Sequence, residues 1–281
     1  MSEKCNNDCS SCSENCEKRA PQKEKPNEFS HIKKVIGVIS GKGGVGKSLV
    51  TSLMACSAVK AGLKTAILDA DVTGPSIPKA FGVTQRVYAD ERNLLIPATS
   101  AKGIQMMSVN LLLQDESDPV VWRGPVIAGT VTQFFNEVNW GDVDLMLIDC
   151  PPGTGDVPLT VFQSLPIDGI VVVTSPQELV SMIVKKAVKM ANIMEVPVLG
   201  IVENFSYFIC PTCNDKHYIY GKSDIENIAN ENGIANIAKL PIDTELANYV
   251  DSGMVELYKG NNLDEFLSKV LQEAENDLPR N

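Results

Sequence analysis

Apolar and polar positions divide the chain into a short polar segment and a long alternating one. From Val35 onward, runs of Val, Ile and Leu alternate with stretches of helical periodicity. The runs predicted to be buried strands are Val35–Ile39, Thr65–Asp69, Leu145–Asp149, Ile170–Thr174 and Val198–Val202. The clearest predicted helices are Ser48–Ala61, Glu178–Met194 and Leu263–Asp277. Apolar strands separated by helices are typical of a parallel sheet covered on both faces. The pattern therefore predicts an α/β fold with a mostly parallel sheet.

Two segments depart from this alternation. Residues 84–122 are less regular and are predicted to form a hairpin insertion. Residues 1–34 are Cys-rich at the start and then rich in Lys, Glu, Pro and Asn, a composition that cannot bury enough apolar surface to fold alone. We therefore expect a flexible tail over residues 1–34, with residues 17–34 as a tether, and one folded domain over residues 35–281.

Composition and charge limit the classes of partner and the cellular compartments that fit this sequence. The 281 residues carry a formal net charge of −10, which argues against nucleic acid as the main partner. No apolar run is long enough for a membrane span, and the N-terminus lacks the apolar core of a signal peptide. The acidic closing helix is predicted to cover the core rather than to bind a membrane. We expect a cytoplasmic protein with reduced thiols, in which eight cysteines indicate metal binding more than disulfides.

A phosphate-binding loop follows the first predicted strand. Its residues are Gly41, Lys42, Gly43, Gly44, Val45, Gly46, Lys47 and Ser48, which fit the pattern G-x-x-x-x-G-K-[ST]. The glycines allow backbone N–H groups to turn inward around a phosphate. The following helix adds its dipole, and Lys47 adds a full charge. A strand before the loop and a helix after it are the setting that this motif requires.

Two carboxylates end neighbouring predicted strands, at the edge where ligands of parallel sheets bind. Asp71 is placed to orient a water molecule toward a γ-phosphate, although capping of the next helix is an alternative. Asp149 ends an apolar strand and is the expected partner of Ser48 around Mg²⁺. The turn that follows it, Pro-Pro-Gly-Thr-Gly, is predicted to respond to the γ-phosphate.

Five motifs in order give the chain a family resemblance. They are the loop at 41–48, Asp-Ala-Asp-Val-Thr-Gly-Pro-Ser at 69–76, Trp-Arg-Gly-Pro at 122–125, Ile-Asp-Cys-Pro-Pro-Gly-Thr-Gly-Asp at 148–156 and Val-Glu-Asn-Phe-Ser at 202–206. Over about residues 32–255 the chain resembles the Mrp/ApbC/Nbp-type iron–sulfur cluster carriers. These belong to the MinD/ParA-like P-loop NTPases with a deviant Walker A motif. Phe205 and Cys150 depart from the residues commonest there, Met and an apolar residue.

The resemblance implies roles for individual residues. It implies a homodimer with two ATP molecules at its interface, in which Lys42 reaches the partner's nucleotide. Lys47 would hold the β- and γ-phosphates, Ser48 would bind Mg²⁺ and Asp71 would position the attacking water. Asn204 would recognise adenine. Cys150 and Cys56 are interpreted as small buried apolar residues.

A second candidate site is Cys210-Pro211-Thr212-Cys213, predicted to lie in a hairpin near residues 205–220. Such a pair is typical of half a zinc ribbon, a redox pair or half a cluster site. Two thiols per chain become four across a two-fold axis, which suits a [4Fe–4S] cluster or zinc. The resemblance implies a [4Fe–4S] cluster bridging two subunits. His217 is close enough in sequence to be considered as a further ligand, but it is interpreted as a solvated loop residue.

The tail carries a third candidate site. Cys5, Cys9, Cys12 and Cys16 supply four thiols within one short segment, enough for one cluster in a single chain. Their spacing is close to, but differs from, ferredoxin-type runs. Some members of the resembled family carry an N-terminal four-Cys motif with longer gaps. A [4Fe–4S] cluster, zinc and an unmetallated tail all stay open.

These features together predict an ATP-dependent iron–sulfur carrier or scaffold with slow ATP hydrolysis. It would use ATP, Mg²⁺ and a [4Fe–4S] cluster, and its partners would be a cluster donor and apoprotein acceptors. One alternative is a partitioning or cell-division ATPase, which would call for a basic surface or a basic membrane helix. Others are a reductase of the nitrogenase iron-protein type and a zinc-stabilised nucleotide-sensing adaptor.

Overall fold

A nine-stranded sheet forms the centre of the computed structural model, which describes residues 23–71, 76–113, 124–153, 156–176 and 180–276. The strands are β1 (His31–Ile32), β2 (Val35–Ser40), β3 (Thr65–Asp69), β4 (Ala98–Thr99), β5 (Gln105–Met107), β6 (Asp142–Val143), β7 (Leu145–Asp149), β8 (Gly169–Thr174), β9 (Val198–Ile209), β10 (Lys216–His217) and β11 (Ile237–Pro241). The helices are α1 (Lys47–Lys60), α2 (Ile77–Ala80), α3 (Gly124–Asn136), α4 (Asp156–Ser164), α5 (Val180–Ile193), α6 (Ile225–Glu231), α7 (Thr244–Asp251) and α8 (Asp264–Asn276).

The sheet is mostly parallel, as the sequence predicts. Its order is β10-β9-β8-β2-β7-β3-β5-β4, and β11 also pairs with β9. The antiparallel pairs in it are β4 with β5 and β9 with β10. Strand β2 lies in the middle between β7 and β8, so the loop that follows β2 emerges at the centre of the sheet. Ligands of doubly wound sheets bind at this kind of central carboxyl edge.

Each face of the sheet carries its own apolar core, because successive strand residues point to opposite sides. In β2, Val35 and Ile39 face a core that includes Trp140 and residues of α3 and α5. Ile36 and Val38 face the second core, which includes residues of α1 and α8. Both faces are therefore covered by helices, which confirms the predicted α/β class.

The less regular segment and the fifth strand differ in detail from prediction. A hairpin does form within residues 84–122, but β5 pairs in parallel with β3 and so extends the main sheet. Strand β9 begins at Val198 as predicted but continues to Ile209, well past Val202. The extension was not predicted because Glu203 and Asn204 are polar, yet both are buried within the strand.

Part of the predicted tail lies against the domain. The Asn27 side chain donates to the carbonyls of Asn136 and Val138, and the Glu24 N–H donates to the Ser164 carbonyl. Strand β1 pairs in parallel with β6. These contacts use polar groups, which an argument from apolar burial overlooks. The folded domain therefore begins before the predicted boundary at residue 34 and includes contacts from Glu24 and Asn27. Residues 1–22 lie outside the described residues.

The closing helix α8 covers the core, as predicted for an acidic amphipathic helix. Phe266, Leu267 and Val270 on its inner face are buried. Across the described ranges, no helix combines the length and the apolar character needed to cross a bilayer.

Candidate functional site

The phosphate-binding loop links β2 to α1 and is shaped by left-handed glycines. Gly44 and Gly46 have φ angles of +78° and +79°, which only glycine adopts without strain. Gly46 is also the N-cap residue of α1. The first N–H groups of α1 have no partner within the helix and open onto the loop. The backbone of the loop therefore has the left-handed glycines and the helix start that an anion-binding loop requires.

Lys47 lies at the buried floor of this loop. Its Nζ is 2.7 Å from Asp149 Oδ2 and 3.6 Å from Asp71 Oδ2. Burial alone lowers the pKa of Lys47, but the Asp149 and Asp71 carboxylates raise it, and the net shift is upward. The ammonium is therefore held charged at the position where phosphate oxygens are expected.

Ser48 and Asp149, the predicted magnesium ligands, are directly hydrogen-bonded. Ser48 Oγ donates to Asp149 Oδ2 over 2.6 Å. Thr51, one helical turn later, donates to the other carboxylate oxygen, Oδ1, over 2.7 Å. Sequence reasoning missed Thr51, although its spacing of three from Ser48 on α1 places it on the same helix face.

A third carboxylate, Asp69, lies beside this group and was also missed as a site residue. Ser108 Oγ donates to Asp69 Oδ2, and the Asp71 N–H donates to Asp69 Oδ1. Burial raises the pKa of Asp69 well above its ordinary value, and the negative charge of Asp149 raises it further. The pocket thus concentrates acidic groups around one buried ammonium, so its electrostatics favour an added cation.

Asp71 lies at the predicted place, after β3 and facing the loop. The N-cap position of α2 belongs to Ser76, so the capping alternative does not describe Asp71. A cavity of about 300 Å³ opens between Asp71, Pro152 and the glycines of the loop. Its other lining residues are Ser40, Val45, Lys47, Ser48, Leu49, Ser76, Ala80 and Val250.

The turn after Asp149 contacts the loop directly. The Gly153 N–H donates to the Ser40 carbonyl over 2.8 Å, and the Ser40 hydroxyl donates to the Lys42 carbonyl over 3.0 Å. The turn is therefore linked through Ser40 to the backbone of Lys42. The motif residues Val72–Pro75, Trp122, Arg123, Thr154 and Gly155 lie outside the described part of the chain.

Strand β9 brings Asn204 against the phosphate-binding loop. Its amide Nδ2 donates to the Val45 carbonyl over 3.0 Å, and the side chain is buried. A Cβ added at Gly46 would collide with this amide. The next residue, Phe205, has a φ of +59°, an unusual value for a bulky residue inside a strand. The loop and β9 are therefore in close contact.

The Cys210–Cys213 turn joins β9 to β10, which is the predicted hairpin. The Cys210 N–H donates to the Asp215 carbonyl, and the Asn214 N–H donates to the Cys210 carbonyl. N–H groups of Cys213 and Thr212 donate to the Cys210 sulfur and lower the pKa of that thiol. Cys213 is exposed and Cys210 half-buried. His217 is exposed as predicted, but it lies in β10 rather than in a loop, and beside both thiols.

The remaining thiols differ sharply from this pair. Burial raises the pKa of Cys150 and of Cys56 to about 12, so neither forms a thiolate near neutral pH. Cys150 is fully buried and Cys56 half-buried against the α1 core, in line with their interpretation as apolar residues. The four tail cysteines, Cys5, Cys9, Cys12 and Cys16, lie outside the described residues.

Comparison with known proteins gives the family. The family model described as ParA: NUBPL iron-transfer P-loop NTPase matches residues 31–275. The "Iron-sulfur cluster carrier protein" of Clostridium perfringens is 44% identical over 90% of this chain and 92% of its own length. A nucleotide-binding protein of Archaeoglobus fulgidus, solved in complex with ADP and with Co, is 43% identical. It superimposes with a TM-score of 0.76 over 84% of this chain and 92% of that one.

A more distant likeness extends to the cell-division ATPase MinD of Pyrococcus furiosus. The two chains share 17% identity and a TM-score of 0.56 over 86% of this chain and 98% of that one, a likeness that concerns the fold alone. The family model spans most of the described domain, including the phosphate-binding loop and the thiol turn. This chain therefore belongs to the NUBPL iron-transfer P-loop NTPase family.

Proposed function

We propose that this chain is a homodimeric cytoplasmic ATPase that carries a [4Fe–4S] cluster from a donor to apoprotein acceptors. One observation carries the proposal: β9 contacts the phosphate-binding loop through Asn204 and leads directly into the thiol turn at Cys210. The intervening residues of strand span about 20 Å. One continuous element therefore joins the nucleotide site to the thiols, as a nucleotide-gated carrier requires.

The donor set of the pocket supports ATP with Mg²⁺. The Ser48 hydroxyl and the Asp149 carboxylate are hard oxygen ligands 2.6 Å apart, which suit Mg²⁺. The excess of buried carboxylates over ammonium groups makes an added cation favourable. When bound, the ion would neutralise phosphate charge. Lys47 would then contact the β- and γ-phosphates, and Asn204 would recognise adenine.

Hydrolysis would be slow and would gate the cluster. Asp71 is close enough to Lys47 to share the phosphate region, where it would position the attacking water. Lys42 is linked by its backbone to Ser40 and through it to the Gly153 turn. In the proposed dimer, its side chain would reach the partner's nucleotide and stabilise charge that develops in the transition state, as an arginine finger does.

Surface composition supports a dimer around the thiol turn. Four large apolar side chains near it are 40–60% exposed: Ile209, Tyr218, Ile219 and Tyr220. An apolar patch of this kind marks an interaction surface. Each chain offers there the exposed Cys213 thiol and the half-buried Cys210 thiol, and a cubane cluster takes four thiolates, which a two-fold axis would supply. Burial of the patch and completion of the ligand set would then occur together.

The tail is proposed as a second, intrachain cluster site. Cys5, Cys9, Cys12 and Cys16 would form one four-thiolate set, and the chain between Cys16 and Lys23 would tether it to the domain. The partitioning-ATPase alternative finds no support: the net charge is −10, and α8 directs its apolar face into the core. A zinc-stabilised adaptor differs from the carrier in the metal that it holds.

Iron counting tests the proposal. In full-length protein whose Cys5, Cys9, Cys12 and Cys16 are replaced by Ser, anaerobic reconstitution should give about four irons per dimer. Combined Cys210→Ala and Cys213→Ala should abolish this iron. Cys56→Ala is the matched control, because it removes a thiol outside the turn. Stoichiometric zinc without iron after reconstitution would support the adaptor and reject the carrier.

A further inference from the structure

The thiol turn has a third candidate ligand within the same chain. Sγ of Cys210, Sγ of Cys213 and a ring nitrogen of His217 all lie within 4.8 Å of one another. Around a tetrahedral zinc-type ion, such donors are separated by about 3.5–3.8 Å, as follows from bonds of about 2.3 Å to sulfur and 2.0 Å to nitrogen. Small side-chain rotations therefore suffice to place all three donors on one ion.

The register of the hairpin explains this proximity. His217 pairs with Phe208 and Lys216 with Ile209, so Cys210 comes next, opposite Asp215. Directly opposed residues of an antiparallel pair share a face, so His217 lies on the face of Phe208. Cys210, two residues after Phe208, lies on that same face. Lys216 takes the other side, where its Nζ lies 4.4 Å from the centre of the Tyr207 ring. The hairpin thus presents an imidazole to the thiols and keeps the neighbouring ammonium away.

The backbone of the turn is also arranged for metal-bound sulfur. Asn214, directly after Cys213, has a φ of +59°, which closes the turn in a conformation that Asn tolerates. The closing Asn214 N–H to Cys210 carbonyl bond measures 2.8 Å. N–H groups of Thr212 and Cys213 are directed at the Cys210 sulfur, where they stabilise negative charge on a ligand.

We infer that Cys210, Cys213 and His217 of a single chain bind one divalent transition-metal ion and leave its fourth position open. Two thiolates and an imidazole suit Zn²⁺, Co²⁺ or Fe²⁺. Cys213 and His217 are exposed, so the ion and an external fourth ligand have access. One chain supplies all three ligands, so this site stands whether or not a four-thiolate cluster forms. Binding of this ion and binding of a cluster shared by two chains compete for the same thiols.

Anaerobic titration with Co²⁺ tests the site, because thiolate-bound tetrahedral Co²⁺ shows charge-transfer and ligand-field bands. The protein is the full-length chain with Cys5, Cys9, Cys12 and Cys16 replaced by Ser. The end point should be one Co²⁺ per chain at both high and low protein concentration. An end point of one Co²⁺ per two chains would mean a shared four-thiolate site and would overturn the inference.

Histidine variants separate His217 from general effects. His217→Asn should weaken Co²⁺ binding at least about tenfold, since even outer-shell partners of metal ligands are worth 10- to 100-fold. His217→Cys should restore binding with stronger charge transfer. His31→Asn is the matched control: His31 is the other histidine of the chain, is exposed, and lies in β1. Equal Co²⁺ affinity of the His217→Asn and His31→Asn proteins would overturn the role of His217.

Measuring reconstituted iron separately from Co²⁺ binding distinguishes failure of the proposed cluster carrier from failure of the His217 site. Loss of reconstituted iron with the Co²⁺ site intact would count against the carrier alone. Loss of the one-per-chain Co²⁺ site with iron per dimer intact would count against the His217 site alone.

Discussion

The Asn204 amide nitrogen lies 3.0 Å from the Val45 carbonyl oxygen and joins the strand that leads to the thiols to the loop shaped for phosphate. Both groups are buried, so breaking this bond leaves an unsatisfied carbonyl and costs about 1–3 kcal/mol. A shift of the loop would therefore have to move Asn204 of β9 with it or break this hydrogen bond. This contact is the physical basis for expecting the nucleotide to influence the thiol turn.

A matched pair of glycine substitutions tests the tightness of this contact. Gly46→Ala should disrupt nucleotide binding, because its Cβ would collide with the Asn204 amide and its φ is +79°. Gly62 has a similar φ of +84° but open space around it. Gly62→Ala should therefore lose only about 1–2 kcal/mol of stability to backbone strain and keep nucleotide affinity. Calorimetric titration with ATP measures the affinity of each variant. Equal ATP affinities of the Gly46→Ala and Gly62→Ala proteins would contradict the close contact.

The two loop lysines should fail in different ways. Lys47 is buried against Asp149, so Lys47→Ala removes a paired charge and should weaken ATP binding by about 2–5 kcal/mol. Lys42 is proposed to act across the dimer, so Lys42→Ala should keep binding and lose hydrolysis. Mixed dimers of Lys42→Ala and wild-type subunits provide the check. Normal hydrolysis by a site whose partner carries Lys42→Ala would refute action in trans.

Asp71 should matter for hydrolysis rather than for folding. Asp71→Asn keeps the size of the side chain but weakens its ability to orient or deprotonate water, so turnover should fall at least about 100-fold. The melting temperature should change little, because the N-cap of α2 is Ser76. A large fall in melting temperature with retained turnover would make Asp71 a structural residue instead.

Thiol reactivity should follow the pKa directions. Hydrogen bonds from Cys213 and Thr212 lower the pKa of Cys210, so its thiolate persists as the pH falls below the ordinary cysteine range. Burial raises the pKa of Cys150 and Cys56 to about 12, so these thiols stay protonated. In metal-free protein, iodoacetamide should alkylate Cys210 before Cys150 and Cys56, with a pH midpoint below that of free cysteine. Mass spectrometry gives the rate at each site, and faster alkylation of Cys56 would contradict this order.

The contacts of Glu24 and Asn27 with the domain give the boundary for a test of the tail. Deletion of residues 1–22 retains Glu24 and Asn27, which bond to the domain, and should leave a folded ATPase. The truncated protein should reconstitute with about four fewer irons per chain, the content of one cubane. Equal iron in the truncated and full-length proteins would show that Cys5, Cys9, Cys12 and Cys16 hold no cluster.

The sequence predicted the features that depend on local pattern. Strands β3 and β7 match the prediction residue for residue, because short continuous apolar runs are typical of strands that are buried on both faces of a parallel sheet. Ser48 and Asp149 lie together, because the loop motif and the order of parallel strands determine that edge, and their role around Mg²⁺ stays a prediction. The ion pair of Lys47 with Asp149 was not predicted. The family resemblance added roles that periodicity alone does not indicate.

The features that were missed depend on long-range register and on polar contacts. From its place in the sequence His217 is a possible ligand but is predicted to be a solvated loop residue. The pairing of β10 with β9, which residue spacing does not reveal, brings it beside the thiols. Asn27 holds the start of the domain through hydrogen bonds, while the prediction weighed only apolar burial. The buried Asn204 continues a strand through a polar stretch because the Val45 carbonyl satisfies its amide.

Transfer of a cluster to an acceptor protein tests whether the Cys210–Cys213 pair carries a cluster. Reconstituted protein with the tail cysteines replaced is mixed anaerobically with an apo-dehydratase whose activity requires a [4Fe–4S] cluster. Activity of the acceptor should appear in proportion to the cluster supplied. The Cys210→Ala, Cys213→Ala protein should give no activity, while Cys56→Ala should match its parent. Equal activation by the double variant and its parent would show that Cys210 and Cys213 do not carry the transferred cluster.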